Sequence, residues 1–344
     1  MDVIHHRFLP CPDFPRVSYE TRDRLSTRVL YENKQPRGLL SITNETPLGD
    51  TLHPMPAPRA HLVAWICPSQ ETLLRDVAKE AKLKLVAVGS SNKDDAKSLA
   101  ESLKVERCDD IRVLASEYED ALFLIGESGA YEHSLCELLR NGNKPTITTT
   151  PLSGEIDLLM NEAGKTPAAK FVPLMRRSIG FGQILDETDQ FGMPAAAHCT
   201  VLCAPHEGTL WSRLFDAMDF VDHYLGTPDL VHAFHSGCDI PDEPNKLRGH
   251  MTVQLRFGNQ RCATLLLSDQ ASWKREVLVI GENHTLTVDD GDASLASLIA
   301  AGFSEDQPTQ SADAPRILAL CEAARLSCLT GNSEQPSRVL GMFQ

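Results

Sequence analysis

The sequence predicts an α/β protein: a parallel-sheet domain followed by an α+β domain with an open, mainly antiparallel sheet. Three observations predict it. Between 61 and 151, short apolar runs alternate with stretches of helical periodicity, the pattern that sets parallel strands side by side through right-handed crossovers. Beyond about 190, strand-like runs follow one helix in close succession, as in an antiparallel sheet. Hydrophobic content of 42% over 344 residues is enough for two cores, yet no apolar run reaches the ~20 residues that span a bilayer.

Residues 1–58 read as an irregular extension ending in a Pro-rich linker, Thr51 to Pro58, because proline blocks both helix and central strand. Two short runs, Arg28–Tyr31 and Gly38–Ile42, read as strands within it. Residues 59–173 form the first domain. His61–Ile66 is a strand, 69–82 a helix, and Lys84–Gly89 a strand. Ala96, Leu99, Ala100 and Leu103 then mark one face of a helix over 93–103. Ala121–Ile125 is the continuous apolar run of a buried parallel strand. A helix near 131–141 ends at Asn141-Gly142, Pro145–Thr149 is the next strand, and Ser153 caps a further helix. This is the Rossmann-like, nucleotide-binding-type pattern. Residues 174–344 form the second domain: a strand at 195–203, a helix at 208–225, and strands near 229–237, 249–257, 261–269, 274–280 and 284–288. A closing helix spans about 314–330. Phe257–Arg261 reads as a hairpin turn.

The formal charge of −14 repels phosphate backbones and anionic bilayers, so neither nucleic acid nor membrane is an expected partner. The ten cysteines form no CxxC pair. Cys67, Cys199, Cys203 and Cys262 sit in apolar runs and read as small buried hydrophobes of a reducing cytoplasm. The N-terminal Met1–Arg7 carries no apolar stretch of signal-peptide length, and a cytoplasmic location is expected.

An absence is the most informative local feature. The first strand–helix turn, Ala64 to Thr72, contains no glycine. A dinucleotide fold needs glycine there, so that backbone can approach the pyrophosphate at a helix N-terminus.

The order of elements resembles the Gfo/Idh/MocA family of NAD(P)-dependent oxidoreductases. Three stretches carry the likeness: Leu85–Val88 with Lys93–Ala100; GTLWSRLFDAMDFVDHYLG at 208–226; and 251–270 through 277–291 to 319–331. Together they cover roughly 61–331. The resemblance places the family's glycine fingerprint on Cys67, Ser69 and Thr72. Where an acidic residue would hold the cofactor ribose, Ser90, Asn92 and Lys93 follow the second strand, groups suited to a 2′-phosphate. The family's Glu-Lys-Pro triplet becomes Thr149-Thr150-Pro151, so Thr150 replaces the lysine that contacts substrate and cofactor. In the active-site helix the family's Asp-x-x-x-His-x-x-Asp falls on Ser212, Asp216 and Asp219. The usual catalytic histidine is thus Asp216, which can act as acid or base only with a raised pKa. The resemblance also implies a homodimer or higher homo-oligomer formed through the C-terminal sheet.

Asp216, Asp219 and Asp222 recur along one face of that helix, with His223 beside them. Stacked carboxylates repel, so either a cation or shared proton holds them, or they form a hydrated face. Arg176 and Arg177 are expected to begin a helix and to offer bidentate contact to a carboxylate or phosphate. His133, near the start of its helix, is placed by the resemblance close to the nicotinamide. His198-Cys199-x3-Cys203-x2-His206 and His232-x2-His235 with Cys238 match no common zinc spacing, and no metal is expected. Trp211 and Trp273 read as core or interface anchors.

These observations give a divergent oxidoreductase-like protein with a binding or regulatory role and a small-molecule ligand, without ordinary NAD(P)-dependent hydride transfer. Asp216 and Asp219 are its candidate proton-handling groups. The alternative is an active NAD(P)-dependent oxidoreductase on a sugar, polyol or related hydroxy compound, using a glycine-free cofactor turn.

Overall fold

The computed structural model describes residues 61–127, 133–142, 144–151, 168–178, 181, 193–258, 260–304 and 314–342. The two strands expected before residue 58 and the helix expected from Ser153 lie outside the described residues. Pro56–Gln344 form one compact unit.

The first sheet is six-stranded and parallel, in the order β3-β2-β1-β4-β5-β6. Its strands are β1 (His61–Trp65), β2 (Lys84–Gly89), β3 (Glu106–Cys108), β4 (Ala121–Ile125), β5 (Thr146–Thr148) and β6 (Lys170–Phe171). β1 lies at the point where strand order reverses, so its C-terminal end opens on the crevice used by dinucleotide folds. Helix α1 (Glu71–Glu80) buries Leu73, Leu74 and Val77 against this sheet, each worth roughly 1.5–3 kcal/mol. Helix α2 (Lys93–Leu103) packs on the same face. Asn92 caps α2 by accepting from the amides of Asp94 and Asp95, and both aspartates suit the helix dipole. α3 (Ile111–Ser116) and α4 (His133–Asn141) cover the opposite face.

The second sheet has the order β12-β11-β7-β10-β9-β8. Its strands are β7 (Pro194–Leu202), β8 (Leu230–Gly237), β9 (Gly249–Arg256), β10 (Cys262–Ser268), β11 (Lys274–Gly281) and β12 (Thr285–Asp289). β7 and β10 pair in parallel, and every other pair is antiparallel. The sheet is therefore mixed, although mainly antiparallel as expected. One face buries Cys199, Val201, Val253, Leu265 and Val277 beneath α5 (Leu210–Leu225) and α7 (Ala314–Thr330). The other face carries no helix among the described residues. A row across it runs Glu276, Thr200, Leu266, Thr252, Phe234. Cys262 lies exposed on that face, which corrects its expected burial; Cys67 is half-buried, and Cys199 and Cys203 are buried as expected. The described cysteines are free thiols.

Helix α6 (Leu295–Ser304) follows β12 but returns to the first sheet, where Leu295, Ala296 and Ile299 join the core of α1 and β1. A last short helix, α8 (Pro336–Gly341), packs on α7. Among the described residues, no helix is long and apolar enough to cross a membrane.

Candidate functional site

The turn after β1 folds as a short 3-10 helix, Pro68–Gln70, and three of its backbone donors are spent internally. The Cys67 amide donates to Gln70 Oε1 at 3.2 Å, the Gln70 amide to the Cys67 carbonyl at 3.0 Å, and the Glu71 amide to the Pro68 carbonyl. Pro68 has no N–H. A pyrophosphate is held at this place by free backbone N–H groups. The Gln70 side chain is buried and also donates to the Gly126 carbonyl at the end of β4, at 3.1 Å. It fills the space that glycines would leave open: a Cβ on Gly126 would lie 2.7 Å from Gln70 Oε1.

A second bridge crosses the same crevice. Glu127, just past β4, reaches the end of β2 and accepts from the Ser91 amide at 2.9 Å, from the Ser91 hydroxyl, and from Ser90 Oγ at 3.4 Å. It thus brings a carboxylate to Ser90, one of the three residues expected to meet a 2′-phosphate. Ser90 is buried beside it, the Asn92 side chain is committed to capping α2, and Lys93 is exposed in the first turn of α2. Ser69 bonds Cys67 Sγ at 3.0 Å, and Thr72 is exposed on α1. These residues fit a dinucleotide poorly: three amides of the phosphate turn are taken, Pro68 has none, and a carboxylate occupies the ribose end.

At the end of β5, Thr148 Oγ1 donates to the Thr150 carbonyl at 2.7 Å and tightens the chain. Thr150 is buried, and its hydroxyl brings no positive charge to the position where the resemblance places the family's lysine.

The aspartate face of α5 is inside the protein, and each carboxylate has its own arginine. Asp216 accepts from the Met175 amide at 2.6 Å and from Arg275 Nη1 at 3.1 Å. Both partners of that ion pair are fully buried. Arg275, on β11, also grips Asp290 through Nε and Nη2, and donates to Ser178 Oγ at 2.6 Å. Burial raises the pKa of Asp216, against the opposing pull of Arg275 and Arg213. Burial also disfavours the charge of Arg275, but Asp216 and Asp290 more than offset it and its pKa rises. Asp219 pairs with Arg176 Nε at 2.5 Å. Burial outweighs that pairing and lifts the Asp219 carboxyl to about 6. Asp222 holds Arg316 and the Thr227 hydroxyl, each at 2.7 Å. The cations called for by the stripe are therefore the chain's own arginines, which removes the hydrated-face reading.

Arg176 and Arg177 end a 3-10 turn, Met175–Arg177, rather than begin a helix. His223 is exposed, with its pKa lowered by partial burial and by Arg176. His133 opens α4, and its side chain lies outside what is described. His198 points to the open face of the second sheet while Cys199 and Cys203 are buried on the other, so they do not converge. His235 Nε2 and Cys238 Sγ both meet the Arg248 carbonyl, at 2.7 and 3.3 Å. Trp211 is a core residue, and Trp273 stacks near two guanidinium groups.

Sequence reasoning missed Gln70, Glu127, Ser178, Arg275 and Asp290. For Arg275 a signal existed: it shares the core face of an alternating strand with Val277 and Val279, where a charge requires a buried partner. The segment 170–178, the turn 289–293 and α6 together enclose a half-open cavity of about 460 Å³. Arg177, Ser178 and Asp290 line it, so the cavity wall includes two groups tied to the Arg275 cluster.

No family model matches the sequence, and no curated protein matches it. Solved structures match at the level of fold. A myo-inositol dehydrogenase from Corynebacterium glutamicum is 14% identical with a TM-score of 0.55, covering 80% of this chain and 98% of its own. A myo-inositol 2-dehydrogenase from Lactobacillus plantarum is 14% identical with a TM-score of 0.58 and the same coverage. The WlbA dehydrogenase from Bordetella pertussis, solved with NADH and UDP-GlcNAcA, is 13% identical with a TM-score of 0.58, again over 80% and 98%. The chain shares the fold of the Gfo/Idh/MocA-type dehydrogenases.

Proposed function

We propose that this chain keeps the dehydrogenase scaffold without hydride transfer and serves as a small-molecule binding or regulatory protein. The observation that carries this reading is the turn at Cys67–Glu71: the amides of Cys67, Gln70 and Glu71 are satisfied within it and Pro68 has none to offer. The α5 face supports it as well. Asp216 stands where the resemblance places the proton-handling histidine, but its two oxygens are held by Met175 and Arg275 and no solvent reaches it. A buried carboxylate clamped in this way organises the core and does not exchange protons with a substrate. The cavity of about 460 Å³ beside this cluster is of the size that holds small ligands, and it is the proposed ligand site.

Two measurements test the reading. Nicotinamide absorbance is followed with NAD and NADP over a panel of sugars and polyols; no turnover is expected. Ser178→Tyr, which fills the cavity, is expected to abolish the thermal shift given by any ligand found in a metabolite screen. Turnover above background, or a ligand response unchanged in Ser178→Tyr, overturns it.

A second reading has its own support: Asp219, lifted to about 6, has the pKa of a neutral-pH acid or base, and the solved neighbours include NADH-bound dehydrogenases. On that reading Asp219 handles the proton and Arg176 positions it.

The open face of the second sheet is proposed as the contact of a homodimer. Phe234, Leu266 and Ile280 are exposed on it, and β-sheets rarely leave an apolar face bare.

A further inference from the structure

Arg213 lies in the first turns of α5 and is fully buried. Among the described residues, none of its three guanidinium nitrogens has a hydrogen-bond partner. The group lies at the N-terminal end of the helix, where a Cβ on Gly208 would stand 3.6 Å from Nη2. It stacks 5.1 Å from the indole of Trp273, whose Nε1 is also without a partner. Asp216, one turn on, is already held by Met175 and Arg275. Arg275 stacks on the same indole at 5.4 Å yet has a partner on each of its three guanidinium nitrogens. The contrast isolates Arg213. A guanidinium cannot shed its proton, and stacking on an indole leaves its in-plane N–H groups unsatisfied. A buried set of donors with no acceptor is costly until an acceptor arrives.

We propose that Arg213 and Trp273 form the receiving end of an oxyanion site at the N-terminus of α5, taking the carboxylate or phosphate of a small ligand. The guanidinium fork matches either oxyanion in two parallel bonds, and the helix N-terminus adds favourable potential. Trp273 sits in the surface turn between β10 and β11 and is only partly buried, so its indole is the group that yields to admit the ligand. The inference is independent of whether a dinucleotide binds above β1.

The test uses the full chain with phosphate, malonate and glycerol 3-phosphate, each against chloride at equal ionic strength. Melting temperature and tryptophan emission are read together. A saturable rise in melting temperature and an emission shift are expected with at least one of the three. Tighter binding of glycerol 3-phosphate than of phosphate would place organic substituents within the site. Arg213→Met fills the volume without needing partners and is expected to weaken the response roughly tenfold or more. Arg213→Lys, the second variant should the first not fold, is expected to weaken it less. Trp273→Phe is expected to remove the emission shift and, by taking away the indole Nε1 and part of the stacking surface, to weaken the melting response. The proposal is overturned if the oxyanions act no differently from chloride, or if both Arg213 variants respond as the wild type does.

Discussion

Replacing Arg275 with methionine tests whether the α5 carboxylates are structural. Methionine occupies much of the same volume, so the change is mainly one of charge. Arg275 and Asp216 are both fully buried, and among the described residues Arg275 is the only side chain bonded to Asp216. Breaking a buried pair by removing one partner costs about 3–5 kcal/mol, because the remaining charge is stranded. For a chain of this size that corresponds to a melting temperature lower by roughly 4–7 °C. Asp290 faces the cavity and regains water, so most of the loss falls on Asp216. Its pKa, already raised by burial, rises further in the variant. A folded-state pKa above the unfolded one favours folding at low pH and loses that advantage as pH rises. The deficit is therefore smaller at pH ~5 than at pH ~7.5. Urea unfolding at both values measures it. Arg275→Met with Asp216→Leu removes both charges and recovers at least half the loss. A single-variant loss under ~1 kcal/mol at neutral pH, or a loss independent of pH and not recovered in the double variant, refutes the reasoning.

Other consequences follow from the same geometry. Asp219 titrates near 6 when folded against 3.8 as its reference, so its contribution is complete below about 3.8 and disappears as pH rises through 6. At 1.36 kcal/mol per pH unit the full span is about 3 kcal/mol; Asp219→Asn removes it, and urea midpoints at pH ~4.5 and ~7 converge in that variant. Parallel wild-type and variant profiles contradict this. Leu266→Arg, at the centre of the open sheet face, is expected to turn a dimer into a monomer in sedimentation equilibrium without lowering the melting temperature of the protomer; an unchanged mass contradicts the interface. Gly126→Ala brings a methyl to 2.7 Å from Gln70 Oε1, must displace that amide from its bonds to Cys67 and Gly126, and is expected to destabilise by about 1 kcal/mol or more. A neutral result in urea means that Gln70 does not fill the crevice as described.

Much of the fold was legible because burial writes a period into the chain. The continuous apolar run at Ala121–Ile125 and the alternation in β9 through β11 mark a two-sided and a one-sided strand respectively. Short elements such as β3, β6 and α3 carry too few residues for a period. The parallel pairing of β7 with β10 is not written in alternation, which fixes a strand's faces and not its neighbour. The site divides in the same way. The glycine-free turn is a local fact of sequence. What closes it is not local: Gln70 meets Gly126, and Glu127 meets Ser90 and Ser91, across long separations. The three arginines that neutralise Asp216, Asp219 and Asp222 likewise come from three different parts of the chain, β11, the 175–177 turn and α7.

The crevice above β1 is closed by the protein's own groups, Gln70 and Glu127. Equilibrium titration of the purified chain with NADH and NADPH, followed by nicotinamide fluorescence, tests it most directly. No saturable binding is expected up to millimolar cofactor. Saturation at micromolar NADH or NADPH would contradict it and make the active oxidoreductase the reading to pursue.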